Sequence, residues 1–120
     1  MTVDTEKYVD FVREVTSNES VHYAALLTRM NTLELEDACN IPPLITAAFG
    51  LTAESGEFTE VVKKIILQGK PYNEEDVYHL KSELGAICWY IAQACMALDT
   101  RFDGLMEMHG DQLKAIYTGA

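Results

Sequence analysis

Basic residues are scarce in this sequence: nine lysines and arginines stand against nineteen aspartates and glutamates. A formal net charge of -10 leaves no basic stripe to displace counterions from a polynucleotide, which excludes nucleic acid polymers as partners. Long apolar runs are missing too. The longest, residues 86–98, is too short to span a bilayer and is interrupted by Gln93, so no membrane association is expected. No apolar stretch follows a basic segment at the N-terminus, as a secretory signal would require. The expected location is the cytoplasm. Cysteine is limited to Cys39, Cys88 and Cys95, with no CxxC pair. Cys88 and Cys95 would stand about 10 Å apart on one helix, too far to bridge, and an odd, irregular set fits a reducing compartment. The sequence also lacks GxxxxGK[ST], GxGxxG and any Ser-His-Asp set, so the common phosphate-loop, dinucleotide and acyl-transfer chemistries have no anchor.

What is present is helical periodicity. A hydrophobic fraction of 48% over 120 residues suits one globular domain, residues 1–120. The pattern predicts an all-α antiparallel bundle of about five helices. The first runs from Val3 to Val15, with Tyr8, Phe11, Val12 and Val15 on one stripe, and the second from Glu19 to Leu35, with Tyr23, Leu26, Leu27 and Met30 inward. The third runs from Pro43 to Gln68, opened by the Pro42-Pro43 pair and stopped at Gly69. The fourth starts at Asn73, with Asp76 as the acidic partner of the cap, and ends near Leu98. The last runs from Asp103 to Tyr117. Residues 86–98 are apolar nearly all round, and one small domain has too little material to cover such a helix. The chain is therefore expected to form a homo-oligomer, a dimer or a dimer of dimers.

Three acids interrupt these apolar faces. Glu54 shares a stripe with Leu51, Phe58 and Val61; Glu57 follows it at i+3; Glu83 lies between Leu80 and Ile87. Burying unpaired carboxylates costs several kcal/mol each, so such a cluster calls for cations. Measured from the turn between the helices, Glu57 and Glu83 lie at similar heights, about 18 and about 15 Å along their axes. By the same count Glu54 faces position 86, which is alanine. Two carboxylate pairs across a helix seam would form an oxygen cage for Mg²⁺, with Mn²⁺ as the alternative. His22, His79 and His109 are isolated. Glu19-x-x-His22 and Asp76-x-x-His79 have the spacing of di-iron bundles, but neither lines up with the inward carboxylates.

The segment GLTAESGEFTEVVKKIILQGKPYNEEDVYHLKSELGAICWYIAQAC resembles the MazG-like family of all-α nucleoside triphosphate pyrophosphohydrolases, in the short form met in bacteriophages. That family carries ExxE, a spacer, then ExxD. Glu54-Ser-Gly-Glu57 matches the first half, and Glu83-Leu-Gly-Ala86 the second apart from its final acid. Val62-Lys63-Lys64, Gln68-Gly69-Lys70 and Trp89-Tyr90 fit the phage-type pattern, and the likeness is strong over residues 41–98. The family's C-terminal Asn, Lys and Arg-Tyr-Pro are replaced by His109, Gln112 and Ile116-Tyr117-Thr118. The resemblance implies Mg²⁺-dependent hydrolysis of a (deoxy)nucleoside triphosphate to monophosphate and pyrophosphate. Glu54, Glu57 and Glu83 would be catalytic and metal-binding, with Lys63, Lys64, Trp89 and Lys114 toward the substrate. The alternatives are a nucleotide-binding member crippled or altered at position 86, and a di-iron or purely structural bundle.

Overall fold

The computed structural model describes residues 2–118, which form six helices and no strand. The expected domain, 1–120, extends at both ends beyond the described residues. The chain divides after Cys39 into two compact units.

The first unit holds α1 (Thr5–Val15), α2 (Asn18–Val21) and α3 (Tyr23–Glu36). The Asp4 side chain caps α1 by accepting from the Lys7 amide at 3.0 Å, satisfying a donor that has no partner inside the helix. The single helix expected from Glu19 to Leu35 is broken at His22, whose backbone is extended at φ -117 and ψ 121. Its N–H bonds the Asn18 carbonyl at 2.8 Å and its carbonyl accepts from Leu26 at 3.1 Å, so one residue ends α2 and opens α3. None of the three helices buries a residue fully. The stripe expected to face inward on α1, with Tyr8, Phe11, Val12 and Val15, is exposed, as are Tyr23, Leu26 and Leu27 of α3. Met30 alone of the α3 set is half-buried.

The second unit holds α4 (Ile41–Leu67), α5 (Glu74–Ala97) and α6 (Phe102–Thr118). Pro42 and Pro43 lie in the first turn of α4, where their missing N–H groups cost nothing. Gly69, at φ 73, takes the left-handed conformation that stops α4 and lets the Lys70 N–H reach back to the Lys64 carbonyl at 3.0 Å. Asn73 then caps α5, accepting from the Asp76 amide at 3.0 Å. This short turn makes α4 and α5 an antiparallel hairpin, the main packing contact of the unit. Its seam is thin. Ala47, Gly50 and Val61 of α4 and Cys95 and Asp76 of α5 are the buried residues. The three cysteines are free. Among the described residues, no helix is long and apolar enough to cross a membrane.

Candidate functional site

The α4–α5 seam fixes the height of each acid. Gly50 lies directly under Tyr90: a Cβ added at Gly50 would overlap Cδ1, Cε1 and Cζ of the tyrosine ring. With residue 50 opposite residue 90 and the helices antiparallel, residue 54 stands opposite 86 and residue 57 opposite 83, the heights expected from the sequence. Ala86 is half-buried, and it puts a methyl group where the matched arrangement would have an acid.

The carboxylates that touch are not those matched by height. Glu54 contacts Glu83, and its carboxyl is held above the ordinary carboxylate range. The first cause is the hydrogen bond to Glu83, which needs a proton on one partner. Partial desolvation follows, then the negative charges of Glu83 and Glu57. Glu57 therefore acts on this pair through its charge, and it is itself exposed. The reason is rotation about α4. At about 100° per residue, Glu57 lies about 60° around the helix from Glu54, whereas Phe58 and Val61 keep within about 40° of it. Those two follow the seam and Glu57 leaves it. Glu54, a long side chain facing only a methyl at position 86, reaches one turn diagonally to Glu83.

The Glu83 side chain is 14% exposed. Its Oε1 stands 3.3 Å from His79 Nε2, one turn earlier on α5. Its Oε2 is buried without a hydrogen-bond partner. His79, which looked isolated in the sequence, is therefore part of the site. Its i,i+4 spacing to Glu83 was the available signal, and Asp76-x-x-His79 drew attention to the wrong acid.

A second missed feature lies one turn further toward the start of α5. Asp76 is 4% exposed, and its Oδ1 is paired with Lys70 Nζ at 3.0 Å. Lys70, Asp76 and His79 line, with Asn73, Tyr78 and Ser82, an open polar cavity of about 380 Å³. A spacing of six residues across a turn carries no periodic signature, so this pair was not visible beforehand.

The residues assigned to the substrate are not gathered on the carboxylates. Lys63 Nζ pairs with Glu60 Oε2 at 3.7 Å. Lys64 and Lys114 are exposed and form no ion pair among the described residues. Trp89 is 57% exposed and packs edge-on against Tyr90, with ring centroids 5.0 Å apart. Among the described residues no three His, Cys, Asp or Glu close into a full metal-holding group. His22 and His109 stay outside the site.

The chain is 30% identical to the Gene 37 protein of Mycobacterium phage L5 over 80 residues, 66% of this chain and 70% of that protein. It belongs to the family of that phage protein. No protein-family model matches the chain. No solved structure matches it either. The phage relative's name states no activity, so within this family the chemistry of the Glu54–Glu83 seam is read from its own residues.

Proposed function

We propose that the chain is a divalent-cation-dependent pyrophosphohydrolase of (deoxy)nucleoside triphosphates, of the MazG-like kind. The observation that carries this is the meeting of Glu54 and Glu83 with a buried, unpartnered Glu83 Oε2. Two carboxylates in contact, with an orphaned lone pair between helices, are an arrangement that a hard cation relieves. The donor set fits Mg²⁺ in chemistry, being all oxygen, although position 86 adds nothing to it. Glu54 and Glu83 would hold the cation, with Glu57 beside them. When bound, such a cation supplies charge neutralisation to the triphosphate and lowers the pKa of a water.

The chain's own groups do the rest. Glu57, exposed and off the seam, would take a proton from the attacking water. The water oxygen adds to the α-phosphorus as the bridging bond to the β-phosphate breaks, and pyrophosphate leaves with that electron pair. Lys64 and Lys114, without ion-pair partners among the described residues, would meet phosphate oxygens; Lys63 would first have to leave Glu60. Trp89 offers an open aromatic face to a base.

The chain is also proposed to act as a homo-oligomer. Met96 leaves apolar surface of α5 open, and Phe49 does the same on α4. A second copy covers such faces without foreign chemistry.

Ala86 favours one other reading, a member that binds nucleotide and turns it over slowly. One experiment separates the two: pyrophosphate release from a panel of nucleoside triphosphates with Mg²⁺, for the natural chain and for Ala86→Asp. The pyrophosphohydrolase reading expects release by both, with Ala86→Asp faster by about tenfold or more, about 1.4 kcal/mol of transition-state stabilisation. Release by Ala86→Asp alone supports the slow reading. Release by neither protein overturns both.

A further inference from the structure

The enclosed carboxylate of Glu83 has one anchored oxygen and one free one, and the anchor is His79. Nε2 of His79 stands 3.3 Å from Oε1, while Oε2 is buried without a partner. The two side chains differ sharply in exposure, 45% for His79 and 14% for Glu83. A half-exposed i,i+4 pair contributes little to stability, so the contact is poorly explained as a fold-holding bridge. What it can do is orient. The terminal torsion of a glutamate is broad and roughly two-fold, so an unheld carboxylate turns easily about its last bond. A nitrogen against Oε1 removes that freedom and so fixes where the buried, unpartnered Oε2 stands.

We propose that His79 is a positioning residue for Glu83, fixing Oε1 so that the unpartnered Oε2 stays available to the cation that Glu54 and Glu83 would share. This rests on the reading of the two glutamates as a cation site. It concerns a hydrogen-bonding nitrogen at a fixed place and holds for an imidazole of either charge, provided Nε2 carries its proton. A glutamine at position 79 can put an amide N–H near the same place, whereas alanine cannot.

Two measurements on the natural chain, His79→Ala and His79→Gln test it. The first needs no cation: metal-free crystal structures of the three proteins, which locate the Glu83 carboxylate. One ordered carboxylate orientation is expected in the natural chain and in His79→Gln, and a disordered or turned one in His79→Ala. The same orientation, equally ordered, in the natural chain and His79→Ala overturns the proposal. The second is a calorimetric titration with Mn²⁺. His79→Ala should bind about tenfold more weakly, the low end of the effect of removing a group that orients a ligand, and His79→Gln should stay close to the natural chain. Unchanged affinity in His79→Ala overturns the proposal while leaving the cation site standing. No Mn²⁺ binding by the natural chain would defeat the cation reading instead, and the metal-free structures would still decide whether His79 holds Glu83.

Discussion

A carboxyl in contact with another carboxyl keeps its proton to higher pH than it would in water. Glu54 is in that position, its pKa raised by the hydrogen bond to Glu83, by desolvation and by the charges of Glu83 and Glu57. In the unfolded chain the same group has its ordinary value of 4.5. The folded state therefore binds the proton more tightly, and between the two values stability falls as pH rises. Below 4.5 both states hold the proton and the penalty is absent; above the raised value it is complete. In the presence of a chelator, the melting temperature should decline as pH rises from 4.5 through this window. Glu54→Gln, which keeps a donor for Glu83 without the charge, should flatten that part of the profile. Melting curves across pH check this, and an unchanged slope in Glu54→Gln would place the titrating group elsewhere. Saturating Mg²⁺ should reverse the trend, because a cation between the carboxylates displaces the proton.

At the scale of the elements, the α4–α5 seam depends on how closely two helices approach where Tyr90 lies over Gly50. Replacing glycine by alanine inside a helix ordinarily adds about 1 kcal/mol of stability. Here the new methyl would overlap the tyrosine ring, which is already backed by Trp89 at 5.0 Å. Forcing an extra carbon into a packed contact costs about 1–3 kcal/mol, so the packing loss should prevail. Gly50→Ala should lower stability to urea by about 1 kcal/mol. In a Tyr90→Ala background the same substitution should be neutral or stabilising, because the overlap is gone and the helix preference remains. A double-mutant cycle measures this. Destabilisation that persists without the tyrosine ring would mean that Gly50 is required for another reason. The register of Glu54 against Glu83 is set in the same seam, so Gly50→Ala should also weaken whatever the carboxylate pair binds.

For the whole molecule, the imbalance between buried and open apolar surface is what matters. Ala47, Val61 and Cys95 are the buried apolar side chains among the described residues, while Phe49 is 74% exposed, Met96 64% and Leu98 62%. The proposed assembly of like copies answers this, and it predicts that a chain of 13.4 kDa sediments as a larger species at micromolar concentration. Met96 is the sharper place to test it than Ile91 in the same apolar run, because Ile91 is half-buried and Met96 is open. Met96→Glu should shift the species toward monomer, raising the dissociation constant by tenfold or more, about 1.4 kcal/mol. A natural chain that sediments as a monomer would show that these faces are not joined to one another.

The sequence by itself determined the elements that local chemistry controls. The proline pair opened α4, Gly69 closed it and Asn73 capped α5, because each acts within a single helical turn. Periodicity also put Glu54 and Glu83 on the seam, and counting residues from the turn gave their heights. Tertiary structure decided which side chains meet. Rotation about α4 took Glu57 off the seam and sent Glu54 to Glu83, while the open first unit left its expected inward stripe exposed. His79 against Glu83, Lys70 against buried Asp76, and Tyr90 over Gly50 belong to the same class. A helix stripe is read from an average over many residues. A contact depends on the angle of one residue about its axis and on the reach of one side chain, which that average does not contain.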